Sequence, residues 1–178
     1  MRDKGLAQRL FDGKSSVARP LSPPLAEPSV HLAAPTELEV GECAAFGFLR
    51  GLDARALAVE FRFLNGNCET FSYNLLASWR FNPSAGLLLK FTSDVVTLVL
   101  IRGSNLDAVV SDKGINLTNR GLQRHRVIWI TEMDESQVRH AAGGQPTIER
   151  IEIAEFESNE EAQTWLQTVA PVFVRGRA

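Results

Sequence analysis

Apolar residues recur at every second position over two stretches near the middle of the chain, and that spacing writes β-strands. Leu57, Val59, Phe61 and Phe63 share one face of an extended segment, with Glu60 and Arg62 on the other. A longer run follows, in which Phe71, Tyr73, Leu75, Ala77, Trp79 and Phe81 are apolar against Thr70, Ser72, Asn74, Ser78 and Arg80. One core-facing wall is therefore expected from Phe71 to Phe81, with Leu76 as the exception. A two-residue Asn65-Gly66 turn would set odd positions against even ones and break the facing of the two apolar sets. A three-residue loop keeps odd with odd, and it has two forms. Leu64-Asn65-Gly66, with Gly66 left-handed, pairs 59 with 71; a loop starting one residue later pairs 59 with 73.

Beyond the turn composition of Asn82-Pro83-Ser84-Ala85-Gly86, Leu87, Leu89 and Phe91 alternate with Lys90 and Thr92. Val95 to Ile101 is then apolar on both faces, which suits the middle of a sheet or a small closed barrel. Residues 57–102 thus predict an antiparallel meander of about four strands. Leu106, Val109 and Val110 suggest a short helix, and Leu117 to Gln123 another, ending near Arg124-His125-Arg126. Val127 to Thr131 and Ile148 to Phe156 read as strands, separated by the acidic loop Glu132 to Glu135 and the Gly143-Gly144 loop. The clearest helix begins after Ser158. Glu161 completes a capping-box pattern, and Ala162, Trp165, Leu166 and Val169 form one apolar face before Pro171. The expected fold is α+β, an antiparallel meander with two or three helices packed on one side or end.

Composition narrows the class without naming a function. With 178 residues, 44% hydrophobic, 22% charged and a net charge of −2, the chain reads as one ordinary globular domain, residues 37–178. The longest apolar stretch is too short to span a membrane, and the charge balance does not suit a DNA-coating protein. Residues 1–36 hold five of the eight prolines and a single aromatic, Phe11, so a leader is expected there, either disordered or laid extended on the domain. Two cysteines, Cys43 and Cys68, in no paired spacing and with no signal-peptide core, point to a reducing, cytoplasmic setting.

Catalytic, dinucleotide, P-loop and zinc signatures are all missing from the sequence, so no cofactor is expected. The best catalytic arrangement available is His125 or His140 with Glu132, Asp134 or Glu135, since a carboxylate can orient an imidazole near neutral pH. Charge is distributed unevenly. Lys113, Arg120, Arg124 and Arg126 occur between residues 113 and 131 with no acid, whereas residues 149–161 hold six acids against Arg150. That basic stretch reads either as a partner-binding edge or as a solvated face balancing the acidic segment. The aromatic set Phe71, Tyr73, Trp79 and Phe81 reads more naturally as core than as a base-stacking platform, because basic residues do not interleave with it.

Two likenesses attach to these residues. Tyr73-Asn74-Leu75-Leu76, Arg80 to Leu87, Ile101 to Leu106 and Gln123 to Ile130 resemble a group of small bacterial α+β proteins, a likeness that carries no activity. The segment 46–106, with Asn65-Gly66, a long strand and Leu100-Ile101-Arg102-Gly103, is similar to the Sm-like small barrels. That similarity implies a ring whose RNA pore would use Asn82, Arg102 and Asn105, joined by Arg120, Arg124 and Arg126. It departs from the family at Arg80, where an acid is usual, and at Pro83. The reading favoured by the sequence is a binding or interaction module with a protein partner or homo-oligomer. An Sm-like RNA-binding oligomer and a small enzyme centred on His125 are the alternatives.

Overall fold

The computed structural model describes residues 39–51, 53–111, 114–141 and 143–174; the proline-rich stretch expected to form a leader lies outside them, as does Lys113. Nine strands, numbered in chain order, form two sheets. The first holds β1 (Val40–Glu42), β2 (Phe46–Leu49), β8 (Val127–Thr131), β3 (Ala58–Arg62) and β4 (Cys68–Ser72), in that spatial order. The second holds β5 (Leu76–Asn82), β6 (Gly86–Thr92), β7 (Val96–Ser104) and β9 (Thr147–Phe156). All pairings are antiparallel except β3 with β8, where Phe61 lies beside Ile130 in parallel register. Two α-helices complete the fold, α1 (Glu135–His140) and α2 (Asn159–Val169). Neither is long and apolar enough to cross a membrane.

The sheets face each other across one core. Phe71 of β4 stacks on Phe91 of β6 at 4.8 Å, and Phe61 meets the same ring edge-on at 6.4 Å. The opposite face of the second sheet carries a second core, in which Leu88, Leu98 and Leu100 pack against Ala162 and Leu166 of α2. Full burial of one leucine side chain stabilises by about 1.5–3 kcal/mol, more than an exposed polar pair contributes, so this face fixes where α2 docks. The two cores explain why β7 is apolar on both sides, since Val99 and Ile101 point to one and Leu98 and Leu100 to the other. β7 does lie inside its sheet, between β6 and β9.

The hairpin register follows the earlier of the two three-residue loops. Val59 pairs with Phe71 and Phe61 with Glu69, and Gly66 sits at φ 84 with its amide bonded to the Phe63 carbonyl. A side chain at that φ is strained, which is why glycine closes this loop.

Other expectations are corrected. No closed barrel forms among the described residues, and the strands of 57–102 belong to two sheets rather than one meander. The single wall from Phe71 to Phe81 breaks because the Ser72 hydroxyl accepts from the Asn74 amide and winds Tyr73–Leu75 into a 3-10 turn. That turn carries the chain from one sheet to the other and leaves Leu75 and Ala77 exposed. Leu57, one residue before β3, is 86% exposed and does not join the inward face of Val59 and Phe61. No helix forms over Leu106–Val110; Asn105 takes φ 53 and its carbonyl accepts from Ala108, giving a turn that buries Leu106 alone. Three apolar residues in so short a span cannot nucleate a helix against that turn.

The supposed solvated loop after β8 is structured. Met133 is buried and donates its amide to Ile148, and Asp134 caps α1 in a complete capping box with Gln137. On α2, Ser158 accepts from the Glu161 amide as expected, but the Glu161 carboxylate bonds the amide of Glu157 rather than that of Ser158.

Candidate functional site

The sequence before β8 builds a wide turn. Asn116 opens it by accepting, through Oδ1, from the amides of Asn119 and Arg120 at 3.0 and 3.1 Å, while its Nδ2 donates to the Asp107 carbonyl. Leu117–Leu122 then forms a π-helical turn, with the Gln123 amide reaching back to Thr118 and the Arg126 amide to Gly121. Such widened turns are rare and occur often at functional sites. Leu117 and Leu122 are buried beneath it, so Arg120 and Arg124 stand on the solvent side. Gly114 lies directly under the Arg120 guanidinium, where a Cβ would come within 2.8 Å.

His125 takes φ 52 and turns the chain into β8. Its ring stacks on Tyr73 at 4.5 Å with 14° between planes, and its carbonyl accepts from Ala56. The Tyr73 hydroxyl donates to the Val127 carbonyl at 2.9 Å, and burial pushes that phenol well above its ordinary pKa.

Arg126 is the unusual residue. It is 2% exposed, yet its Nε and Nη2 both donate to one backbone carbonyl, Leu49, at 2.8 and 2.5 Å. The Leu49 amide returns a bond to the Arg126 carbonyl, so the side chain and main chain together tie the end of β2 to the start of β8. The guanidinium remains a cation. Burial lowers its pKa, and the positive charges of Arg124 and Arg120 lower it further. Among the described residues no carboxylate forms an ion pair with it. A buried charge without a counterion is costly, so this corner has an excess of positive potential.

No family model, curated protein or solved structure matches this chain.

Of the six residues expected to contact nucleic acid, the structure gathers Arg120, Arg124 and Arg126 at this turn and leaves the others elsewhere. Asn82 closes the β5–β6 turn, its Oδ1 accepting from the Ser84 amide at 2.9 Å. Arg102 donates to the Val169 carbonyl at the C-terminus of α2 and lies 3.4 Å from Glu152, which also pairs with Arg150. A cation at a helix C-terminus is favoured by the helix dipole. Asn105 donates to the Gln145 carbonyl at 3.3 Å. Arg126 itself is a buried tie rather than an exposed contact.

The carboxylates considered as partners for a histidine are committed to other groups. Glu132 accepts from the Leu64 amide at 3.0 Å and the Ile151 amide at 2.7 Å. Asp134 caps α1, and its bonds to Ser136 and Gln137 hold its carboxyl below the ordinary range. His140 meets the Ser136 carbonyl at 2.5 Å, on the same short helix as Glu135. Among the described residues no imidazole–carboxylate pair forms. Of the aromatic set, Phe71 and Tyr73 lie in or against the core, and Trp79 and Phe81 pack on it, so they offer no open stacking surface.

Sequence reasoning missed the Tyr73–His125 stack and the Arg126 tie. Both join residues at least 50 positions apart, and local spacing carries no trace of that. A signal for His125 did exist, because histidine is among the residues enriched in the left-handed region at a helix end.

Proposed function

We propose that this chain is a binding module whose partner presents an acidic protein segment to the arginine corner of Arg120, Arg124 and the buried Arg126. The supporting observation is the Arg126 guanidinium, held in place by the Leu49 carbonyl and surrounded by positive charge with no counterion among the described residues. A fixed cation beneath an exposed arginine gives a preorganised anion seat, since no side-chain ordering remains to be done at Arg126 when the partner arrives. Carboxylates suit the size of this corner better than a nucleic-acid strand does. Only two arginines stand on its solvent side, whereas a strand binder uses a longer basic groove with open aromatic rings, and the rings here are core.

The test is binding of a fluorescent oligoglutamate peptide and of single-stranded RNA across a salt series. Peptide binding that weakens with salt and is lost in Arg124→Glu supports the reading. RNA bound as tightly as the peptide, with the same sensitivity to Arg124→Glu, would replace the protein partner by a nucleic acid. Binding of neither would end the proposal.

A further inference from the structure

A second cationic site lies on the other side of the molecule, in a cleft of about 200 Å³ between the outer face of the second sheet and α2. The β-register builds it. Lys90 sits opposite Leu98, and Arg80 opposite Leu88, so two cations and two apolar side chains form a small patch on neighbouring strands. Leu166 of α2 closes the apolar side, and Gln163 stands at the mouth. Arg80 and Lys90 are both half-buried, and the acceptors they have are neutral: Arg80 donates to the Phe173 carbonyl at 2.6 Å and Lys90 to the Asn159 Oδ1 at 2.5 Å.

The contrast with Arg102 on the same sheet is informative, because Arg102 has Glu152 beside it. Among the described residues, no carboxylate pairs with Arg80 or Lys90. Two uncompensated charges beside low-dielectric walls focus positive potential into the cleft and raise the local concentration of anions. The leucines behind them favour a ligand that is not only charged. We propose that this cleft binds a small organic monoanion, with its carboxylate between Arg80 and Lys90 and a short alkyl tail on Leu88, Leu98 and Leu166. Backbone and amide acceptors already orient both cations, so a carboxylate would add charge-assisted bonds without new ordering of long side chains.

The experiment is an amide-resolved NMR titration of the full chain with hexanoate, with hexanol and inorganic phosphate as parallel probes. Saturable shifts at Lys90, Gln163 and Leu166 with hexanoate are expected, with hexanol weaker by about tenfold or more, the loss of a charged hydrogen bond. Phosphate, which has no tail, should also bind more weakly. Lys90→Met should weaken hexanoate by a similar factor, and Gln163→Trp, which fills the mouth without touching either cation, should abolish it. Arg124→Glu should leave it unchanged, which separates this cleft from the arginine corner. Absence of shifts at millimolar hexanoate, hexanol or phosphate matching hexanoate, or an unaffected Lys90→Met variant would each overturn the proposal.

Discussion

Arg102 and Arg126 make the same kind of bond and differ in everything around it. Each donates to a backbone carbonyl distant in sequence, Val169 for one and Leu49 for the other. Arg102 is partly exposed, has Glu152 at 3.4 Å and sits where a helix dipole favours a cation. Arg126 is 2% exposed and has only like charges for charged neighbours. The first arginine is a balanced strap that holds α2 in place. The second is a buried tie with unspent charge, and the difference shows that a guanidinium–carbonyl bond says little about function until its counterions are counted.

The largest effect that would sharpen this comparison is expected at Arg126. Arg126→Ala removes two bonds to the Leu49 carbonyl and opens a buried space, and it should destabilise by about 3 kcal/mol in urea unfolding. A loss no greater than that of the Arg102 variant would dissolve the distinction.

The next concerns pH at the same corner. The Tyr73 phenol is raised in the folded state, so its contribution is complete below the unfolded value near pH ~10 and falls above it by about 1.4 kcal/mol per pH unit, as only the unfolded chain ionises. Stability of the parent chain should therefore decline on an alkaline limb that Tyr73→Phe flattens, read from unfolding midpoints at successive pH values. An unchanged limb would remove Tyr73 as its source.

Arg102→Ala should cost about 1 kcal/mol, with faster amide exchange in the last turn of α2, and the loss should shrink in high salt because the pair is partly exposed. The smallest effect belongs to Arg124→Ala, which should alter stability by no more than about 0.5 kcal/mol, since the residue is exposed and its charge opposes Arg126. A marked loss there would give Arg124 a structural role that the fold does not assign to it.

How much of this was legible follows from the range of each interaction. The register of β3 and β4 could be read because facing apolar sets and one glycine constrain a short loop, and Val59 does pair with Phe71. The burial of β7 on both faces was written in its own residues. What local patterning could not supply was the change of sheet at Tyr73–Leu75, where a single serine cap overrides a long alternation. Nor could it supply the parallel contact of β3 with β8, whose partners are far apart in sequence. The candidate site was half legible in the same sense. A basic stretch marked Arg120, Arg124 and Arg126, but only the position of Leu49 shows that one of the three is interior. Asn82, Arg102 and Asn105 looked like ligand contacts because side chains that cap turns and helix ends are the same polar types that bind ligands.

Glu132 has a consequence for how the molecule opens. Its two carboxylate oxygens hold the Leu64 amide at the tip of the β3–β4 hairpin and the Ile151 amide on β9, so one side chain bridges an element of each sheet. Fraying of the hairpin tip and detachment of the β9 edge are then one cooperative event rather than two. The amides of Leu64 and Ile151 should exchange hydrogen with a common opening free energy, and Glu132→Ala should uncouple them, leaving two independently breathing regions.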